Sequence, residues 1–277
     1  MNINSDFIIE ESILVEYTGN EQIVKLPNTV TYIGAYAFKD CKEITDIEIP
    51  NGVIEIGLEA FRGCTNLTSI KIPSSVTSIC KGAFWDCEFL TAIEIPHGVT
   101  SIEASTFWYC SRLRDIKLPS SLTYIGEDAF YSCTSLSTLE IPNSVKVIDK
   151  GAFAHCSHLT SATLSSSLKF INDKAFYHCK GLTSVILPNG VKSIGEYAFG
   201  NCTNLAAIEI PNGVTKIDSY AFEDSTCLTH IEIPSSVKEI GFGAFQGCTG
   251  LKTIKLPKEC GLGNRWNNLC NAEIIFY

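Results

Sequence analysis

Three residue columns recur along this chain at a single interval. All ten prolines, Pro27, Pro50, Pro73, Pro96, Pro119, Pro142, Pro188, Pro211, Pro234 and Pro257, stand 23 residues apart, or 46 where Ser165 takes the missing place. Phe38, Phe61, Phe84, Phe107, Phe130, Phe153, Phe176, Phe199, Phe222 and Phe245 keep the same step. So do Cys41, Cys64, Cys87, Cys110, Cys133, Cys156, Cys179 and Cys202, followed by Ser225 and Cys248. Three columns in register over ten turns overrule the two-domain organisation that 277 residues alone would suggest. The period is a stacking unit, and the chain is a solenoid.

The unit Leu67 to Cys87 shows how each turn is built. Its first stretch ends in period-two alternation, with Ile70 and Ile72 inward and Ser69 and Lys71 outward, as in a half-buried strand. Pro73 has no N–H to donate, so it stops the ladder and turns the chain out of the sheet. Val76 and Ile79 line a second short extended piece. Residues 81–87 are too few for an independent helix, and a single helical turn burying Phe84 is expected there. The predicted organisation is an N-terminal capping hairpin over 1–22, a ten-turn solenoid over 23–257 and a C-terminal cap over 258–277.

The repeated unit, of the form L-T-x-I-x-I-P-x-x-V-T-x-I-G-x-x-A-F-x-x-C, resembles the 23-residue leucine-rich repeat of the BspA-like surface proteins. That resemblance implies a right-handed horseshoe with a parallel concave sheet and short convex extended segments. It also implies binding work, such as attachment to host extracellular proteins like fibronectin and fibrinogen. By the same resemblance the chain would be at the cell surface or secreted. Its first residues show no basic n-region and apolar h-region of a signal peptide, which keeps a cytoplasmic location open.

Charge and motifs narrow the chemistry. A formal charge of −9 argues against a nonspecific nucleic-acid binder, and no apolar run reaches the length of a membrane span. The 13 cysteines show no C-x₂-C pair, so the column reads as structural thiols rather than a metal site. Cys260 and Cys270 are candidates for one disulfide. His155 and His178 share a column, yet no further ligands assemble around them. No hydrolase, metalloprotease or nucleotide-binding motif occurs. Neither catalytic residues, cofactor nor metal are assigned, and a monomer is expected.

Two irregularities stand out as candidate ligand sites. The outward column before the proline runs Lys25, Glu48, Lys71, Glu94, Lys117 and Glu140, a self-neutralising alternation. It then breaks at Thr163 and Ile186, beside the small Ser161 and Ser184. This uncharged patch is either a ligand site on the concave sheet or a decayed repeat. After the column phenylalanine come Trp85, Trp108 and Tyr131 on consecutive turns, with Tyr109 alongside. Exposed aromatic stripes serve as protein anchors or stack on sugar rings, and they also occur as plain surface cladding. The leading reading is therefore a non-enzymatic, adhesin-like module binding a protein or glycan. An intracellular repeat scaffold is the alternative.

Overall fold

The computed structural model describes residues 6–258 and 272–277, arranged as two compact units, 1–136 and 137–277. Each unit is a parallel-strand β-solenoid of the leucine-rich-repeat type. In the first, the three-residue strands Ile23–Lys25, Asp46–Glu48, Ser69–Lys71, Ala92–Glu94 and Asp115–Lys117 form one ladder, each pairing with the strand 23 residues away. In the second, the series runs from Thr138–Glu140 to Thr253–Leu256 with the same step. Among the described residues there are eleven such strands, one more than the ten expected turns, because Thr253–Leu256 carries the register past the last phenylalanine of the column. Two-residue strands form a second ladder in each unit, Ser78–Ile79 pairing with Glu55–Ile56 in the first and Ser193–Ile194 with Phe170–Ile171 in the second. Within each three-residue strand the middle side chain points inward and its neighbours outward, as Ser69–Ile70–Lys71 does.

The segment after the second ladder is not helical. Residues 81–87 form a train of tight turns in which alternate N–H groups serve different purposes. Ala83, Trp85 and Cys87 donate to the carbonyl three residues back, at 2.9–3.2 Å. Gly82, Phe84 and Asp86 instead donate forward to Ala104, Thr106 and Trp108 of the next turn, at 2.7–3.0 Å. A helix would need every residue in the right-handed region and every N–H pointing along one axis. Here two left-handed residues, four apart, recur in every turn. One column runs from Tyr36 through Gly82 and Ser105 to Gly243, the other from Asp40 through Asp86 and Tyr109 to Gly247, all with φ between 49° and 73°.

Phenylalanine rings of the column stack at 5.0–5.6 Å, nearly parallel, within each unit. Tyr17 extends the first stack, lying 5.3 Å from Phe38, and it comes from an antiparallel hairpin, Phe7–Glu10 with Ile13–Tyr17. At the other end, Glu273–Phe276 adds a parallel strand to Thr253–Leu256. Cys260 and Cys270 lie outside the described residues.

The cysteine column is buried from Cys64 onward, with Cys41 half-buried at its start, and its thiols have a specific task. From Cys64 onward the Sγ–H donates to the phenylalanine carbonyl of the preceding turn, as in Cys64 to Phe38 at 3.0 Å, Cys87 to Phe61 at 3.2 Å, Cys110 to Phe84 at 3.1 Å and Cys179 to Phe153 at 3.1 Å, whereas Cys41 donates to the Lys39 carbonyl of its own turn. Where serine replaces cysteine, Ser225 Oγ makes the same bond to Phe199 at 3.0 Å. The column is therefore a hydrogen-bonded seam between turns as well as apolar packing.

Candidate functional site

The aromatic candidates come together in the first unit because the turn train sets their direction. The residue after each column phenylalanine sits between the two left-handed positions, with its N–H closing the local turn and its carbonyl accepting from the preceding coil; Trp85, for example, bonds Gly82 and Gly63. Its side chain is thereby directed off the core. Trp85 and Trp108 meet at 4.2 Å between ring centroids, tilted by 49°. Trp108 turns its edge to Tyr109 at 5.6 Å and to Tyr131 at 5.7 Å, and Tyr109 and Tyr131 lie 6.0 Å apart. All four predicted residues thus form one contiguous cluster.

Exposure differs among them. Trp85, Trp108 and Tyr131 are half-buried, whereas Tyr109 is 48% exposed. Tyr109 also holds a left-handed backbone, φ 59°, in a column otherwise filled by Asp, Asn, His, Ser and Gly. Those residue types tolerate that region, and Tyr109 is the one bulky aromatic in this column, as Tyr36, Tyr197 and Tyr220 are in the other left-handed column. The indole N–H of Trp108 is shielded from solvent and has no hydrogen-bond partner among the described residues. One face of Trp85 is covered by the Arg62 guanidinium at 4.2 Å, which Glu59 anchors through a 2.7 Å ion pair.

The second candidate lies in the other unit. Thr163 pairs in register with Ile186, and Ser161 with Ser184, so the uncharged residues occupy adjacent strands. Ile186 is 83% exposed, the most exposed large apolar side chain described. Glu209 follows it in register on the next strand. The turn that lost its proline is intact: Ser165 is buried, donates to the Asn143 and Val145 carbonyls at 3.2 and 2.6 Å, and accepts from the Ser167 N–H. Its carbonyl still closes the turn with Leu168, as Pro73 does with Val76.

The alternating charge column resolves differently from a uniform ladder. Lys25 pairs with Glu48 at 3.0 Å and Lys117 with Glu94 at 3.3 Å. Lys71 stands in register beside Glu48, yet no carboxylate lies within ion-pair distance of it among the described residues. Five alternating charges with three cations in the first unit leave one lysine over. That lysine lines an open groove of about 990 Å³, together with His97, Asn51, Glu94 and Pro96.

Sequence reasoning placed His155 and His178 in one column but missed the tyrosines that extend them into a second ring series in the unit of residues 137–277. His155 and His178 stack in parallel at 4.6 Å, Tyr177 turns its edge to His178 at 4.3 Å, and Tyr197 stacks on Tyr220 at 4.8 Å. Burial lowers both imidazoles from the usual histidine value, helped by the Lys180 charge at His155 and by His155 and then Lys180 at His178. The series crosses from one column to another, so reading a single column misses it. Among the described residues no group of three metal-ligating side chains occurs, and no helix is long and apolar enough to cross a membrane.

A family model described as the BspA type leucine rich repeat region matches in six copies, over residues 11–136, 78–182 and 169–265. Comparison with curated proteins gives no match. Among solved structures, a leucine-rich repeat protein from Bacteroides ovatus is 27% identical, with 96% of this chain and 87% of that one covered and a TM-score of 0.57. A leucine rich repeat protein of T. pallidum is 30% identical over 70% of this chain and 82% of its own, at a TM-score of 0.50. The pneumococcal vaccine antigen PcpA shares the fold at 19% identity, covering 98% and 95% of the two chains, with a TM-score of 0.61.

Proposed function

The chain belongs to the BspA-type leucine-rich repeat family, and from that premise we propose that it is a non-enzymatic, adhesin-like module that docks an extracellular protein on the aromatic flank around Trp108. The single observation behind this reading is the four-ring cluster of Trp85, Trp108, Tyr109 and Tyr131, contiguous and partly exposed. At the corresponding position other turns carry Ala154, Gly200, Glu223 or Gln246, so the fold itself does not require rings there. Rings already packed against each other lose little freedom on binding, and Trp and Tyr dominate binding hot spots. The competing assignment, an intracellular scaffold, uses the same surface but a different compartment. Protease treatment of intact source cells separates the two: the adhesin is cut, the scaffold is protected.

The test of the surface is binding to immobilised host extracellular proteins, fibronectin and fibrinogen first, and to glycans. A Trp85→Ala, Trp108→Ala, Tyr131→Ala chain that still melts cooperatively is expected to lose at least about tenfold in affinity. Undiminished binding would move the site elsewhere. The exposure of Ile186 favours the neutral patch with Thr163 and Ser184 as the second reading. Ile186→Glu would then be the variant that abolishes binding.

A further inference from the structure

We infer that the partner segment taken up by the aromatic flank is a basic polypeptide, presenting arginine or lysine side chains to Trp108 and Tyr109. This rests on the reading of that flank as the contact surface and adds the chemistry of what it contacts. Three observations carry it.

The first is that the chain already uses its rings this way. Arg62 lies over Trp85 at 4.2 Å, Lys39 over Tyr36 at 5.4 Å, and Arg112 over Phe89 at 3.6 Å. These three rings of the first unit are capped by the chain's own cations, the usual preference of an electron-rich aromatic face. Among the described residues no cation covers Trp108 or Tyr109, although Tyr109 is the most exposed ring of the cluster. The flank therefore has capped faces and uncapped ones of the same chemistry.

The second is the placement of carboxylates. Asp86 precedes Tyr109 by one turn in the same column, its N–H bonded to the Trp108 carbonyl at 2.7 Å, and Glu88 follows two residues later. Burial holds the Asp86 carboxyl above the usual carboxylate range, and Glu88 and Asp40 push it further the same way, while Lys42 and Arg62 offset this in part. An incoming cation beside Tyr109 would relieve that crowding.

The third is the division of charge along the chain. Residues 1–136 carry 18 acidic and 9 basic side chains, whereas residues 137–277 carry 12 of each. The whole formal charge of −9 thus belongs to the unit that holds the aromatic cluster. An acidic surface steers cationic partners toward it and repels anionic ones.

The experiment uses the full chain and three synthetic peptides of equal length, whose spaced arginines are replaced by lysines in the second and by glutamines in the third. Affinity is read from tryptophan fluorescence and confirmed by calorimetry. The arginine peptide is expected to bind at least about tenfold more tightly than its glutamine twin, with lysine between, and to weaken as salt rises. Asp86→Asn with Glu88→Gln, and separately Tyr109→Asn, each reduce arginine-peptide affinity by about three- to tenfold, and Tyr109→Phe restores it. Asparagine suits the left-handed position, as Asn201 shows, so the fold survives the change. Equal affinity for the arginine and glutamine peptides overturns the inference, and so does an arginine preference that persists in the Trp85→Ala, Trp108→Ala, Tyr131→Ala chain. If the peptides bind alike while fibronectin or fibrinogen binding still depends on those rings, the basic-partner inference fails and the flank remains the contact surface.

Discussion

Cys133 donates its thiol hydrogen to the Phe107 carbonyl at 3.2 Å from a fully buried position, and Ser225 makes the equivalent bond with a hydroxyl. Cys133→Ser should therefore cost little, because the donor is kept. Cys133→Ala removes both donor and volume and should cost about 1–2 kcal/mol. Denaturant midpoints of the two variants check the difference. Burial also lifts these thiols: Cys41, at the start of the column, is pushed up to about 11, and Cys87 and Cys179 lie well above the ordinary thiol value. The buried column from Cys64 onward should accordingly resist alkylation in the native chain at neutral pH, while the exposed Cys227 reacts. The presence of the column, and its burial, was legible in the 23-residue spacing. Its hydrogen-bonding task was not, although serine rather than alanine at 225 was the available signal.

The train of turns between the second ladder and the cysteine is where sequence reasoning met its limit. A seven-residue stretch burying one phenylalanine suggests a helical turn, and the left-handed positions that forbid one are hidden because Tyr36, Glu59, Lys174 and Tyr197 fill the column where glycine would have announced it. Ser105, at φ 55°, is a position where Gly82 and Gly151 are the neighbours in kind. Ser105→Gly should stabilise by about 0.5–1 kcal/mol, the relief of a left-handed Cβ less the added chain entropy. Gly63→Ala should do the opposite, since a Cβ there would run into the Asp40 carboxylate. The strand elements were easier to read: alternation fixed Ile70 inward and Lys71 outward, and the proline turn persists even where Ser165 replaces it. The aromatic cluster was legible as a run of rings, but its contacts depend on the turn geometry and only the structure brings Tyr109 against Trp108.

At the scale of the molecule, stability is shared between neighbouring turns, and no unit of 23 residues stands alone. Phe84, stacked between Phe61 and Phe107, is a test of that sharing, and Phe84→Ala should cost about 3–5 kcal/mol by thermal or chemical unfolding. Acid adds a second dependence. His155 and His178 titrate lower in the folded chain than the unfolded value near 6.5, so the folded state disfavours their protonation. Their contribution is complete above that value and is lost as pH falls from about 7 toward 5. Asp86 and Glu223 carry the opposite sign: raised in the fold, they cease to oppose folding once acid protonates them. The histidine loss occupies the higher window, and His155→Asn with His178→Asn should flatten stability between about pH 7 and 5. Asn201 shows that asparagine is accommodated in that column.

The most direct test of the account is hydroxyl-radical footprinting of the full chain, free and held by the extracellular protein that retains it. Protection confined to Trp85, Trp108, Tyr109 and Tyr131, with Ile186 labelled equally in both states, is the predicted result. Protection at Ile186 with the four rings unchanged would contradict it.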